Sequence, residues 1–397
     1  MHSPTSILQA SSDQNACQDG WVIAQQIFDG TTLKKGLALR LTEGCISDVA
    51  AAAHATKSGL PVWYVDGTIS PGFFDIQVNG GAGVMFNNEP TASTLRQIGT
   101  ALRASGTTTW LPTFITDAKE RMAQAASAIL HAHGRDGVAG VHFEGPHINV
   151  ERRGVHKAQW VRPIDEATFS LVQGLRHQHI PVLLTLAPEC QPKGSIARLC
   201  AMGVTVAIGH SAANAAQVND ALREGATCFT HLFNGMTPMS SREPGVVGAA
   251  LDSDAWCGLI ADGHHVADTM LRLAIRARPL PHRMVLVSDA MATMHGPNHF
   301  DLYGETIQLV DGKLVNSAGS LAGAQIDLAA SVHRLIHQVG IPPAQALRMV
   351  TLNPAQLMGL SQEAGQIRAG VRADLVSLDQ DWRTQPLVLS REVIPRF

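Results

Sequence analysis

This chain has no surplus of basic charge. Over 397 residues, 30 Lys and Arg face 33 Asp and Glu, a formal charge of −3. Without a basic footprint, general nucleic-acid binding is disfavoured. An anionic ligand must then be recognised by local groups, not by the field of the whole protein. No apolar run is long enough to cross a bilayer, so no membrane contact is expected. The start, Met1-His-Ser-Pro-Thr-Ser, lacks a basic stretch followed by an apolar one, so no signal peptide is expected. The six cysteines, Cys17, Cys45, Cys190, Cys200, Cys228 and Cys257, form no C-x-x-C pair. Several sit inside apolar runs and read as small core residues of a reducing compartment, so a cytoplasmic protein is expected. Internal repeats and low-complexity segments are also missing.

What is present points to an ordered α/β protein. The hydrophobic share is 45%, the aromatic share only 5%, and there are 36 Gly with 16% charged residues. That is the texture of a compact Ala- and Val-rich fold. The length exceeds one ordinary core but suits a large barrel with a small annex.

Residues 1–19 are polar and irregular and read as a flexible tail. From Trp21 to about Val65, short β-like runs alternate with turn residues such as Asp29-Gly30, as in a small antiparallel domain. From Asp66 the pattern changes. Eight apolar runs alternate with helix-like segments. The runs are 72–79, 107–113, 138–144, 182–189, 204–210, 228–234, 257–262 and 284–289. The helical segments are 94–104, 119–132, 166–177, 195–201, 215–224 and 268–278. Continuous apolar strands suit burial on both faces, and the alternation predicts a (β/α)8 barrel of TIM type. After the eighth strand, residues 301–316 read as a hairpin turning at Asp311-Gly312. Helices are expected over 324–338 and 343–349, the second led by Pro342 and Pro343. Strand-like runs return near the end. The expected domains are a discontinuous β-sandwich from residues 20–65 plus 363–397, and a barrel over 66–362.

The chemistry gathers at one stretch, Val141 to His156. An apolar run ends in the single carboxylate Glu144, followed by the turn Gly145-Pro146 and a loop with His147, Arg152, Arg153 and His156. A charge at the tip of a buried strand needs a partner, either an Arg or a metal ion. In this barrel type, catalytic groups sit at the C-terminal strand ends. Here those ends carry Gln77 and Asn79, Glu144, Glu189, His210, His231 and Asn234, Asp262, and Asp289. A core histidine has no reason to recur at that end. Glu144, His210 and His231 form a carboxylate-and-two-imidazole set suited to Zn2+ or Fe2+ with one position open. Asp289 could take a proton from water and later donate it, although it could also cap a helix.

A series of motifs then carries a resemblance. Asp75-Ile-Gln-Val-Asn-Gly-Gly81, His142-Phe-Glu-Gly-Pro146, Gly154-Val-His156 and Gly209-His-Ser211 occur in order. Thr230-His-Leu-Phe-Asn-Gly-Met236, Arg242-Glu-Pro-Gly245, Ala261-Asp-Gly-His-His-Val266 and Val287-Ser-Asp-Ala290 follow. From about residue 20 onward the chain resembles the N-acetylglucosamine-6-phosphate deacetylases of the amidohydrolase superfamily.

The resemblance implies hydrolysis of the acetamide of a 6-phosphorylated amino sugar. It makes Glu144, His210 and His231 the metal ligands, and Asp289 the group that activates water and protonates the departing amine. His156 would bond the acetamide carbonyl. Arg242 and His265 would hold the phosphate, with Asn234 and Gly235 nearby. His264 could compete with His265, which is preferred because it precedes Val266. Gln77, Asn79 and the loop Leu321-Ala322-Gly323 would line the sugar. Many amidohydrolases carry H-x-H at the end of strand 1 for a second metal. Gln77-x-Asn79 replaces it here, so one divalent metal per subunit is expected. A homodimer sharing its phosphate site across the interface is also implied. His147 stands where relatives usually have a bulky apolar residue, and Gly235 where Ala is more usual; a packed loop histidine is the expectation for His147.

Three alternatives stay open. One is the galactosamine epimer or another N-acyl sugar phosphate as substrate. Another is a cyclic-amide hydrolase, disfavoured because strand 4 ends in Glu189 without a Lys. The last is a non-catalytic sugar-phosphate binder, which would have no need of Asp289.

Overall fold

The structure is a computed structural model, and it describes residues 19–385. The expected tail therefore lies, except for Asp19, outside the described residues, as do residues 386–397. Two compact units are present, one built from both chain ends (to Phe74 and from Ile341) and one from Asp75–Gly340.

In the end-built unit, Gly20–Phe28 pairs parallel with Val62–Pro71 and antiparallel with Leu37–Thr42. Leu375–Leu378 returns from the far end of the chain to pair antiparallel with Val62–Pro71. The strands of both ends thus meet as expected, joined in one seven-stranded sheet. The alternation of side chains sends residues of these strands into two clusters. Val22, Leu39, Val65 and Ile69 pack in one cluster, and Trp21 and Ala38 in another. The second cluster also holds Ala55 of the helix Ala52–Ala55.

The other unit holds the barrel. Its strands are Phe73–Val78, Thr107–Ile115, Val141–Glu144, Val182–Leu186, Thr205–Ile208, Cys228–Phe229, Trp256–Leu259 and Met284–Leu286, each beside the next. The ladders from strand 2 through strand 8 are parallel. A parallel bridge between Val78 and Ala290 joins the first strand to the last. Phe73–Val78, Val141–Glu144 and Val182–Leu186 are buried at every residue, as strands covered on both faces should be.

Three of the helices between them carry a side-chain cap at the N-terminus. Thr91 caps Ala92–Ala104, Asp165 caps Glu166–His177, and Asn214 with Gln217 forms a capping box on Ala215–Arg223. The sequence reading lacked the helix Gly245–Asp252, whose Gly-rich, all-apolar composition hides any amphipathic period. The expected hairpin is there, turning at Asp311-Gly312 with both residues at positive φ. It gains an earlier strand, His299–Leu302, which makes a three-stranded sheet.

Candidate metal centre and active site

Strand burial brings three ligand atoms together. Glu144 Oε1 lies 3.0 Å from His210 Nε2 and 2.9 Å from His231 Nε2. The two Nε2 atoms are 3.1 Å apart. His210 donates from Nδ1 to the Arg152 carbonyl at 2.8 Å, so in the neutral ring Nε2 carries the lone pair. That lone pair faces a carboxylate oxygen and a second imidazole nitrogen. A single proton cannot satisfy all three atoms, whereas one divalent cation can. The donor set therefore fits a metal ion. Burial alone would push the Glu144 carboxyl up, but the two imidazoles hold it well below the usual carboxylate range. Glu144 in turn lifts His231 against the effect of burial.

The backbone is specialised at the same points. His210, His231 and Asp289 have φ of 48°, 28° and 49°, in the left-handed region. Non-Gly residues persist there only when their surroundings fix them, and such residues cluster at functional sites. Gly235, at φ 61°, also belongs to this set, because a Cβ there would stand 3.0 Å from His210 Nδ1.

Beside the three ligands, Gln77 Nε2 donates to Glu144 Oε2 and to Asp289 Oδ1, each at 3.2 Å. Asn79 Nδ2 donates to the same Asp289 oxygen at 2.7 Å. Gln77 thus joins the two carboxylates, and Asn79 adds a second donor to Asp289. Burial and the Glu144 charge push the Asp289 carboxyl up to about 6. That value suits a group that exchanges protons near neutral pH. Deeper in the barrel, burial pushes Asp75 up to about 7. A buried row links Thr113, His142, Thr185 and Thr230 by contacts of 3.1, 2.8 and 2.6 Å across neighbouring strands.

His156 comes back over the cluster. Its ring centroid is 4.6 Å from that of His210, and its Nδ1 is 2.7 Å from the Thr116 hydroxyl. Burial, then the neighbouring His210, pushes its imidazole down to about 3, so it is neutral. His147, by contrast, is a packed loop residue. Its two nitrogens meet the Arg162 carbonyl and the Thr168 hydroxyl, both at 3.1 Å.

The remaining expected residues divide. Asn234 Nδ2 donates to the His231 carbonyl at 3.3 Å, and the Gly235 carbonyl accepts from Ser211 N at 2.9 Å, so both border the cluster. Ala322 is buried, and a Cβ on Gly323 would lie 3.1 Å from the Asp289 carbonyl. The next residue, Ala324, donates its N–H to that carbonyl, which brings the Leu321–Gly323 loop to the eighth strand end. His265 Nδ1 donates to Asp262 at 2.7 Å. Arg242 is exposed, just before Gly245–Asp252, and is not drawn into the cluster.

Three residues near the site had no role in the sequence reading. Thr116 lies just past strand 2, which runs to Ile115 and so beyond its expected end. Asp262 and Glu189 were visible as strand-end carboxylates, but their partners depend on which loops lie beside them.

Comparison with known proteins agrees with this geometry. Residues 68–394 match the model of the amidohydrolase family. The chain belongs to the amidohydrolase family. Like the family, which is metal-dependent, this amidohydrolase has a possible metal site. Glu144, His210 and His231 are the set of His and carboxylate groups whose ligand atoms converge among the described residues. The chain is 38% identical to the N-acetylgalactosamine-6-phosphate deacetylase of Shewanella sp. (strain ANA-3), over 91% of this chain and 92% of that protein. It is also similar to the crystal structure of N-acetylglucosamine-6-phosphate deacetylase from Pasteurella multocida. That match has a TM-score of 0.86 and 32% identity, covering 92% of this chain and 96% of that one. A mutant of the Mycobacterium smegmatis deacetylase in complex with N-acetyl-D-glucosamine-6-phosphate matches with a TM-score of 0.84 and 29% identity. It covers 92% of this chain and 96% of that one. Within this amidohydrolase, Gln77 is occupied by the two carboxylates it bridges, and Asn79 by Asp289 alone.

Proposed function

We propose that this amidohydrolase hydrolyses the acetamide of N-acetyl-D-glucosamine 6-phosphate, giving D-glucosamine 6-phosphate and acetate. One observation carries the reading: the converging Glu144, His210 and His231 atoms lie one amide away from a carboxyl lifted to about 6, Asp289. Glu144, His210 and His231 would hold one divalent ion, Zn2+ or Fe2+. When bound, that ion supplies Lewis acidity, making water more acidic and the amide carbonyl more electrophilic.

The chain's own groups account for the remaining needs of amide hydrolysis. Asp289 accepts a proton from the attacking water as its oxygen bonds to the acetamide carbon. As the C–N bond breaks, Asp289 returns a proton to the departing amine nitrogen. Gln77 and Asn79 hold Asp289 in place throughout. A neutral His156 donates from Nε2 to the carbonyl oxygen as negative charge grows there. His265 and Arg242 grip the phosphate, and Asn234, Gly235 and the Leu321–Gly323 loop border the sugar. The exposure of Arg242 supports a homodimer in which it serves the neighbouring subunit's site. Free Cys45, Cys190, Cys200, Cys228 and Cys257 are in keeping with a cytoplasmic enzyme.

A second reading, the galactosamine epimer as substrate, is favoured by the 38% identity to the Shewanella protein. Acetate release by metal-loaded protein tests both. The substrates are the two N-acetylhexosamine 6-phosphates and unphosphorylated N-acetylglucosamine. Preference for the gluco epimer supports the main reading, and preference for the galacto epimer the second. Equal rates without phosphate would overturn the roles of Arg242 and His265, and no release at all would overturn the activity.

A further inference from the structure

Glu189 ends the region of strand 4 but has no part in the chemistry above. It does not belong to the converging ligand set, and it has no expected contact with the sugar. Yet three donors converge on it. Oε1 accepts from Asn149 Nδ2 at 3.0 Å and from the backbone N–H of Ala212 at 2.6 Å. Oε2 accepts from the Ser211 hydroxyl at 2.7 Å. These donors lie on two loops that are far apart in sequence, and both loops act on His210.

The first loop controls the main chain of His210. Ser211 and Ala212 follow it directly, and its φ of 48° is one that L residues rarely adopt unless their neighbours fix it. Ser211 N donates to the Gly235 carbonyl at 2.9 Å, while the His210 carbonyl accepts from Asn149 N at 2.9 Å. Glu189 adds two further bonds on the C-terminal side of the same residue.

The second loop controls the ring. Asn149 caps the short helical turn Val150–Arg152, its Oδ1 accepting from Glu151 N at 2.8 Å. Its Nδ2 is the group bound by Glu189. The same turn presents the Arg152 carbonyl, which receives the His210 Nδ1 proton at 2.8 Å and leaves Nε2 bare. Glu189 therefore ties the backbone of His210 to the acceptor that sets its ring. His231 lacks such support among the described residues, where its buried Nδ1 meets no hydrogen-bond partner.

We propose that Glu189 is a positioning residue that preorganises His210 as a metal ligand, so that its loss loosens the metal while the fold stays intact. Partners that orient a ligating histidine typically govern metal affinity in this way. The inference rests on the metal reading of Glu144, His210 and His231.

The test uses the full chain loaded with Zn2+, and follows the rate at which a chelator strips the metal from wild type, E189Q and S211A. Unfolding of the metal-free proteins is measured in parallel. E189Q keeps one carbonyl oxygen for Asn149 and Ala212 but cannot accept from the Ser211 hydroxyl. Stripping about 10-fold or more faster in E189Q is expected, with a smaller effect in S211A. The metal-free melting temperature should stay near wild type, and excess Zn2+ should restore full occupancy. A wild-type stripping rate in E189Q overturns the proposal. So does metal loss accompanied by a matching loss of metal-free stability, because the role would then be structural only. A wild-type protein that holds no metal would overturn the metal reading itself, and this inference with it.

Discussion

Gln77 Nε2 stands 3.2 Å from Glu144 and 3.2 Å from Asp289, so one amide nitrogen joins the metal-facing carboxylate to the proton-handling one. Two buried carboxylates this close repel each other, and the repulsion contributes to the elevated Asp289 value of about 6. The amides of strand 1 moderate it by donating to the charged form.

Asn79 is the closer donor to Asp289, at 2.7 Å, and its bond lowers the carboxyl. Asn79→Leu removes that support, so the Asp289 value rises and more alkaline conditions are needed to keep it as a base. The acidic limb of kcat/KM should move up by about one pH unit, with kcat about 10-fold lower. Rate profiles of wild type and variant check this, and an unmoved limb would count against Asp289 as the base.

Asp289→Asn keeps the shape of the group but cannot accept the proton. Turnover should fall by roughly 10²- to 10⁴-fold. Metal content should stay at the wild-type level, because Asp289 lies outside the converging ligand set. Acetate assays with elemental analysis separate this outcome from a general loss of the centre.

Thr116 sets the ring of His156. A neutral imidazole can donate from Nε2 only if Nδ1 accepts, and the Thr116 hydroxyl stands 2.7 Å from Nδ1. Thr116→Val should lower kcat by about 10- to 100-fold with little change in KM, and Thr116→Ser should recover most of it. A Val variant with wild-type kcat would separate Thr116 from the oxyanion contact.

His147 gives a stability prediction with a definite sign. Burial pushes its imidazole down from 6.5 to about 4. Below the unfolded value the unfolded chain takes up a proton that the folded chain refuses. Stability is therefore full above about pH 6.5 and falls as pH drops toward about 4. The contribution lost is on the order of 3 kcal/mol, at roughly 1.4 kcal/mol per pH unit. His147→Gln should flatten that part of the curve, read from urea midpoints of the metal-free protein between pH 7 and 4. An unchanged slope would assign the effect to other buried imidazoles.

Periodicity made the barrel legible because its strands are buried on both faces and read as unbroken apolar runs. Val182–Leu186, with Thr185 as its one polar residue, needed nothing more. The strand-end pattern also found Glu144, His210 and His231 before any distance was known. What stayed hidden was pairing across loops. Glu189 was visible as a terminal carboxylate, but nothing in its neighbours indicates that Asn149 and Ser211 bind it. Thr116 escaped because strand 2 continues through Pro112 to Ile115, past the point where a Pro suggests an end. Val138, read as the start of strand 3, makes only an isolated bridge to Trp110, since Ala139 and Gly140 separate it from Val141–Glu144.

The assignment of Arg242 to a neighbouring subunit can be decided by mixing two inactive proteins. Arg242 is exposed and apart from the cluster, whereas Asp289 lies within it. Suppose Arg242 completes the partner's site. In a mixed dimer of Arg242→Ala and Asp289→Asn subunits, one site then combines the intact Asp289 of the first subunit with the intact Arg242 of the second. The other site carries both defects. Random reassembly of equal amounts puts half the dimers in the mixed form, with one working site in two, so about a quarter of wild-type activity should return. If Arg242 instead serves its own subunit, every site keeps one defect and mixing restores nothing. Co-expression with two tags and an acetate assay read the difference: doubly tagged dimers, once purified, should keep about half of wild-type activity, and the recovered sites should show the wild-type KM.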